Sequence, residues 1–294
     1  MNSPLATPKA TIEALQMFNL YTKKRLGQHF LIDDNVIGRI LKAADIQTCD
    51  RVLEIGPGIG VLTVALLKAC RQVLALEYDS QLIEVLAHTT EENPKLTILN
   101  EDALSIPSLK LPYQPTRLVA NLPYQVAATN VLDCFEFIPT ITQATVMVQK
   151  EVAQRMAANP GTKSYGAYSA KLQLLAKPTS SFAVSRNSFL PPPRVDSSVI
   201  TLMRHKATDS PVRNIAHYRE AAALIDVCFA NRRKTILNNL RAAGTGKILR
   251  SAQEVGMSTS NIVAALNEVG ISPTARAETL TPADFVTLLD VLCQ

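Results

Sequence analysis

Residues 121–124, Asn-Leu-Pro-Tyr, combine two hydrogen-bond acceptors, a rigid turn and an aromatic face. The side-chain oxygen of Asn121 and the carbonyl of Leu122 can accept from the two protons of one exocyclic base amine. The lone pair of such an amine is delocalised into the ring. Acceptors on both protons favour a tetrahedral nitrogen and restore its nucleophilicity. Pro123 fixes the following φ and with it the direction of the Leu122 carbonyl. Tyr124 can stack on the base, which contributes roughly 1–3 kcal/mol. The alternative for this tetrapeptide is an ordinary strand-ending turn with Tyr124 in the core.

The segments before it favour chemistry. Glu77 follows an apolar run, 72–76, and lies 17 residues beyond Gly60. A carboxylate there accepts two hydrogen bonds from a ribose. Asp102, after the apolar run 96–99, can accept from an adenine amine. Asp102 and Asp79 also read as helix caps. These acids belong with residues 51–62, RVLEIGPGIGVL, in which glycines 56, 58 and 60 separate an apolar run from a helical pattern over 61–69. Strand, glycine turn and helix open a nucleotide-binding βαβ unit whose free N–H groups face a ligand. The spacing is not the dinucleotide G-x-G-x-x-G. Pro57 removes a donor that a pyrophosphate would use, and Glu54 suits a cation better than a phosphate. The loop resembles motif I of the S-adenosylmethionine-dependent methyltransferases. A sulfonium is already a good leaving group, so catalysis there rests on positioning the nucleophile and on electrostatics.

Strands at 52–55, 72–76, 96–99, 117–120 and 144–149 alternate with helical patterns at 61–69, 81–88 and 150–158. Two further strands, 181–184 and 198–202, flank the proline-rich loop 189–194, and 170–176 reads as helical. Beyond about residue 205 only helices are expected, over 218–229, 235–241, 248–255, 261–269 and 283–292. The 294 residues suffice for two domains of unequal size. No apolar stretch reaches membrane-spanning length, and the first residues carry no secretory pattern, so no membrane association is expected. Five dispersed cysteines predict reduced thiols in a cytoplasmic protein. His29 has no second ligand at metal spacing, and no metal site is expected. The net charge of +5 is divided unevenly. Residues 45–110 carry 5 basic and 10 acidic side chains, and residues 184–250 carry 12 basic and 4 acidic. A basic half beside an acidic half points to a polyanionic partner.

Seven segments then resemble one family, the ribosomal RNA adenine dimethyltransferases: GQHFL (27–31), EIGPGIG (54–60), LEYD (76–79), NEDAL (100–104), NLPY (121–124), QKEVAQRM (149–156) and FLPPPRVDSSV (189–199). The resemblance covers about residues 20–202. It implies an α/β, Rossmann-like class I S-adenosylmethionine-dependent methyltransferase domain over 1–204. A small all-helical C-terminal domain over 205–294 would contact RNA. Within the family the likeness is to the branch that dimethylates two adjacent adenosines near the 3′ end of small-subunit (16S) rRNA. That implies a monomer acting on an immature 30S-type particle. Carried over residue by residue, the cofactor contacts are His29, Leu31, Gly56, Glu77, Asp102 and Asn121. Many members have Asn where His29 stands. Asn121, Leu122, Pro123 and Tyr124 are the catalytic segment. Phe189 is the ring that stacks on the target base, or else a packed loop anchor. Competing readings are a resistance methylase acting on large-subunit rRNA, a mitochondrial-type transcription factor, and an RNA-binding assembly factor without activity.

The basic clusters Lys23-Lys24-Arg25 and Arg232-Arg233-Lys234 are the expected phosphate contacts. RNA affinity should therefore fall steeply with salt, the log–log slope shrinking by about 0.7–0.9 for each contacting charge neutralised. Filter binding across a salt series measures it, and an unaltered slope with both clusters neutralised places the docking face elsewhere.

Overall fold

The computed structural model describes residues 1–21, 28–243 and 258–293. The cluster Lys23, Lys24 and Arg25 and the helix expected over 248–255 lie outside the described residues. The chain divides into two compact units. One comprises Met1–Ala153 with Pro178–Arg204, the other Gln154–Lys177 with His205–Gln294.

The first unit begins with α1 (Pro8–Met17) and a short strand β1 (Phe30–Leu31), followed by α2 (Asp34–Ala44). Alternating elements follow: β2 (Arg51–Ile55), α3 (Val61–Ala69), β3 (Gln72–Leu76), α4 (Ser80–Thr89), β4 (Leu96–Leu99), β5 (Arg117–Asn121), α5 (Ala127–Phe137) and β6 (Gln143–Gln149). Helix α6 (Lys150–Met156) continues from β6. Strands β7 (Ala176–Val184), β8 (Phe189–Leu190) and β9 (Ser197–Arg204) come later in the chain. The main sheet has the order β4-β3-β2-β5-β6-β9-β7. Its first five strands are parallel, and β9 runs antiparallel to β6. β2 and β3 are buried from their second residue and β6 over all but its last. Such continuous burial belongs to a parallel sheet covered on both faces. From β2 the chain steps outward to β4, then returns to the other side of β2 as β5. A reversal of this kind opens a crevice at the carboxyl ends of the strands.

Two elements exceed what the sequence suggests. α5 falls between the motif at 121–124 and β6, where no helix is expected. Its buried Ala127, Val131, Cys134 and Phe135 recur at helical spacing. β7 begins at Ala176 rather than 181. Its first half carries Lys177, Pro178 and Thr179, which an edge strand tolerates, and β7 is the edge of the sheet.

A separate two-stranded ribbon pairs Phe30 with Leu190 and Leu31 with Phe189. Ile32 N–H adds a bond to Ser188 O (2.8 Å), and Ser188 Oγ donates to Asp33 (3.0 Å), the N-cap of α2.

In the second unit α7 (Ala167–Leu175) packs on α8 (Ile215–Cys228) and on the last helix, α11 (Pro282–Leu292). Between them lie α9 (Ile236–Ala243) and α10 (Thr259–Glu268). Buried Tyr165 donates to Leu280 O (2.9 Å), and its ring meets Phe229, which meets Phe285. These contacts put residues 154–177 with the helices, whereas the sequence reading runs its first domain unbroken to 204. No described helix is long and apolar enough to cross a membrane.

At the opposite end of the first unit's sheet, Asp50 joins β2 to β5. Its carboxylate accepts from Gln47 N (2.8 Å), Thr116 Oγ1 (2.8 Å) and Arg117 Nε (3.2 Å). Burial works to raise its pKa, but these donors and the Arg117 charge hold it below the usual carboxylate value. A lowered folded pKa means stability that is present above the unfolded pKa and lost as pH falls through the folded one. Asp50→Asn should cost about 1–3 kcal/mol in urea unfolding at neutral pH, and less at pH 3. An equal cost at both values would show that the charge is not what holds this corner.

Candidate functional site

The carboxyl ends of β2, β3, β4 and β5 meet around one cavity of about 360 Å³. That is the size of a small-molecule site. Every described residue lining it belongs to the first unit. The residues between β2 and α3 form its floor. Gly56 and Gly58 have φ of +67° and +60°, a region costly for any residue with a Cβ. A Cβ on Gly58 would meet the Phe30 ring at 3.0 Å, and one on Gly56 would touch Pro123 at 3.4 Å. The glycine turn is thus pressed between β1 and the residues after β5, with its backbone toward the cavity.

Glu77, at the end of β3, is buried and holds this turn in place. One oxygen accepts from Gly58 N (3.1 Å), the other from Asp79 N (2.9 Å). Burial pushes its pKa up, and the two N–H donors oppose that rise only in part. Asn100, just past β4, donates to Glu77 O (2.7 Å) and so ties the ends of β3 and β4 together. Glu54 is 2% exposed, and its Oε2 has no hydrogen-bond partner among the described residues. Burial, with the Glu77 carboxylate adding to it, raises its pKa to about 8. Asp79 caps α4 and accepts from Gln28 Nε2 (3.0 Å). Asp102 caps the single turn Ala103–Ser105 through one oxygen, accepting from Leu104 N (2.9 Å).

Asn121 ends β5 with its Nδ2 donating to His29 O (3.3 Å), which leaves Oδ1 as an acceptor. Leu122 N donates to Met147 O (3.0 Å) and anchors the turn to β6. Tyr124 is half-buried. Its ring stacks on His29 at 5.8 Å, and its hydroxyl shares a 2.7 Å hydrogen bond with Ser197 Oγ. His29 Nδ1 donates to Pro191 O (2.7 Å), so the proline loop orients the histidine and the histidine supports the tyrosine.

Nine residues singled out in the sequence line this one cavity: His29, Leu31, Gly56, Glu77, Asp102, Asn121, Leu122, Pro123 and Tyr124. Phe189 does not line it. Its ring is 2% exposed, packed in the core beside Leu31, which is the geometry of a loop anchor rather than of a free stacking face. In the second unit Arg232 is engaged with Glu278 (3.1 Å) and Tyr165 O (2.9 Å), while Arg233 and Lys234 are exposed. The sequence assigns no role to Asn100, although it opens the segment NEDAL, or to Asn130, which stands in no motif.

The described lining contains five carboxylates, Glu54, Glu77, Asp79, Glu101 and Asp102, and neither lysine nor arginine. A pyrophosphate would be repelled. A ligand carrying a sulfonium and an ammonium is attracted instead, and Glu77 and Asp102 offer acceptors to hydroxyl and amine donors, so the residues present suit S-adenosylmethionine.

A family model described as ribosomal RNA adenine dimethylase matches residues 19–287. Among curated proteins, the chain is 39% identical over 298 residues to the ribosomal RNA small subunit methyltransferase A of Shouchella clausii, covering 99% of this chain and 97% of that protein. Among solved structures, a dimethyladenosine transferase from Plasmodium falciparum is similar at 28% identity and a TM-score of 0.73, over 88% of this chain and 96% of that one. The 23S rRNA methyltransferase ErmE is similar at 25% identity and a TM-score of 0.65, over 90% of this chain and 100% of its own.

Glu77→Ala should weaken S-adenosylmethionine binding by roughly 1.5–3 kcal/mol, the scale of hydrogen bonds to a charged group. A ribose donates to the ionised carboxylate, so affinity should be full above the raised pKa of Glu77 and decline as pH falls through it. Titration calorimetry across pH checks both, and unchanged affinity in Glu77→Ala would remove this residue from the site.

Proposed function

The chain belongs to the ribosomal RNA adenine dimethylase family, and from that premise we propose how its cavity serves the reaction and on which RNA. It is an S-adenosylmethionine-dependent rRNA adenine dimethyltransferase with a class I methyltransferase fold. The substrate proposed is a pair of adjacent adenosines near the 3′ end of small-subunit (16S) rRNA, modified during assembly of an immature 30S-type particle by a monomer in the cytoplasm. Support comes from the relatives that match almost end to end at 38–39% identity, which carry the small-subunit name. The 23S rRNA methyltransferase ErmE is matched at 25% identity.

The observation that carries the mechanism is the Asn121 amide. Asn121 lines the cavity, and donation of Nδ2 to His29 O leaves Oδ1 as the atom free to accept. There it accepts one proton of the target N6 amine while Leu122 O accepts the other. Pro123, packed against Gly56, keeps that carbonyl beside the glycine turn. Tyr124, backed by His29 and tethered to Ser197, offers its ring to the base, and it takes this role in preference to the buried Phe189. Glu77, Asp102, Gly56, His29 and Leu31 hold the methyl donor. When bound, S-adenosylmethionine supplies an electrophilic methyl group on a sulfonium. The attacked amine gains a carbon and loses a proton to water, so no carboxylate or histidine has to act as base in the Asn121–Tyr124 turn. The same acceptors then receive the monomethylated amine, which retains one proton for one of them. Exposed Arg233 and Lys234, with Lys23, Lys24 and Arg25, are proposed to meet phosphates.

Asn121→Ala should lower the single-turnover rate on the order of 10²–10³-fold, as for loss of one preorganised hydrogen-bond partner, while RNA affinity changes little. Wild-type rates in that variant would overturn the amine-polarisation mechanism. Mass spectrometry of rRNA from cells lacking the protein tests the substrate. Two unmethylated small-subunit adenosines are expected, and full dimethylation there would exclude it.

A further inference from the structure

Asn130 is a polar side chain of the cavity to which the mechanism gives no task. It lies in the first turn of α5, six residues past Tyr124, is 0% exposed and lines the cavity. Its backbone N–H is used within the helix, on Val126 O (2.9 Å). Among the described residues neither Oδ1 nor Nδ2 has a hydrogen-bond partner. Folded proteins rarely leave both ends of a buried amide unpaired, because each lost bond to water is unreturned.

The position says what the amide faces. α5 packs against the turn Ala103–Ser105 that Asp102 caps, and Asp102, Ala103 and Leu104 line the same cavity as Asn130. A primary amide offers an acceptor and a donor side by side. Adenine offers the complement on its Hoogsteen edge, a 6-amino donor beside the N7 acceptor. The ribose hydroxyls of the donor molecule have the Glu77 carboxylate to meet them on the reading above. Its base edge has Asp102 alone, which can take only one proton of the 6-amino group.

We propose that Asn130 reads the Hoogsteen edge of the methyl donor's adenine, Oδ1 accepting from the 6-amino group and Nδ2 donating to N7. This rests on the assignment of the Asp102 turn to the adenine end. The pairing also makes Asn130 a specificity residue, since a 6-oxo purine would set two acceptors against each other.

The test is titration calorimetry with S-adenosylhomocysteine and its 7-deaza analogue, in which N7 is replaced by C–H. The wild-type protein should bind the 7-deaza compound about tenfold more weakly, the scale of one hydrogen bond of a bidentate pair. Asn130→Leu should bind both compounds equally and the parent at least about tenfold more weakly than wild type does. Its ligand-free melting temperature should equal or exceed that of the wild type, because it removes an unpartnered buried amide. Asp102→Ala should weaken both compounds alike and keep their ratio. Equal wild-type affinities with Asp102→Ala impaired would overturn the proposal by itself, and that comparison needs no Asn130 variant to fold. Asn130→Leu that keeps the wild-type ratio would also overturn it, and would leave the amide to a buried water. Unchanged affinities in Asp102→Ala would take down the adenine-end assignment and this proposal with it.

Discussion

The site depends on one buried carboxylate with two backbone N–H groups bonded to it. Glu77 leaves water at the end of β3, a position that is tolerable only because Gly58 and Asp79 donate to its two oxygens. In return the carboxylate fixes the glycine turn after β2 relative to the end of β3, and Asn100 extends the tie to β4. Three strand ends are thereby held to a common geometry before any ligand arrives. Preorganisation of this kind places binding groups without an ordering cost at the moment of binding.

The charge of the cavity explains why a motif with three glycines takes this ligand and not a dinucleotide. Pro57 subtracts a donor from the turn, and burial, with the neighbouring Glu77 carboxylate adding to it, raises the affinity of Glu54 for a proton. A permanent cation relieves that crowding, and a phosphate would aggravate it. On the other side of the cavity the pattern changes to neutral acceptors and rings, which suits an uncharged base amine.

Much of this was legible in the order of residues because the parallel strands end beside the residues that line the cavity. Glu77, Asp102 and Asn121 each follow an apolar run, and that periodicity places all three at one sheet edge. What escaped the sequence was set by contacts distant along the chain. Residues 154–177 read as a continuation of the first domain, but Tyr165 and α7 find their apolar partners in α8 and α11. Phe189 reads as a ring ready for a base, yet its strand pairs with β1 and turns the ring into the core. β7 hides half its length because a strand at a sheet edge need not alternate. Asn130 looks like one more polar residue on a helix, and only burial without a partner distinguishes it.

The ribbon of β1 and β8 sets a timetable. Its contacts join residues as much as 162 positions apart, as His29 and Pro191 are. At synthesis rates of about 5–20 residues per second, β1 waits on the order of 10–30 s for the strand that completes it. Through that interval the central parallel strands can already assemble, while the histidine that supports Tyr124 has no proline loop to orient it. The support of β1 and His29 is therefore completed late, by the second half of the same chain. A nascent chain truncated before residue 189 would carry every described residue that lines the cavity and still lack the strand that pairs with β1 and the carbonyl that orients His29.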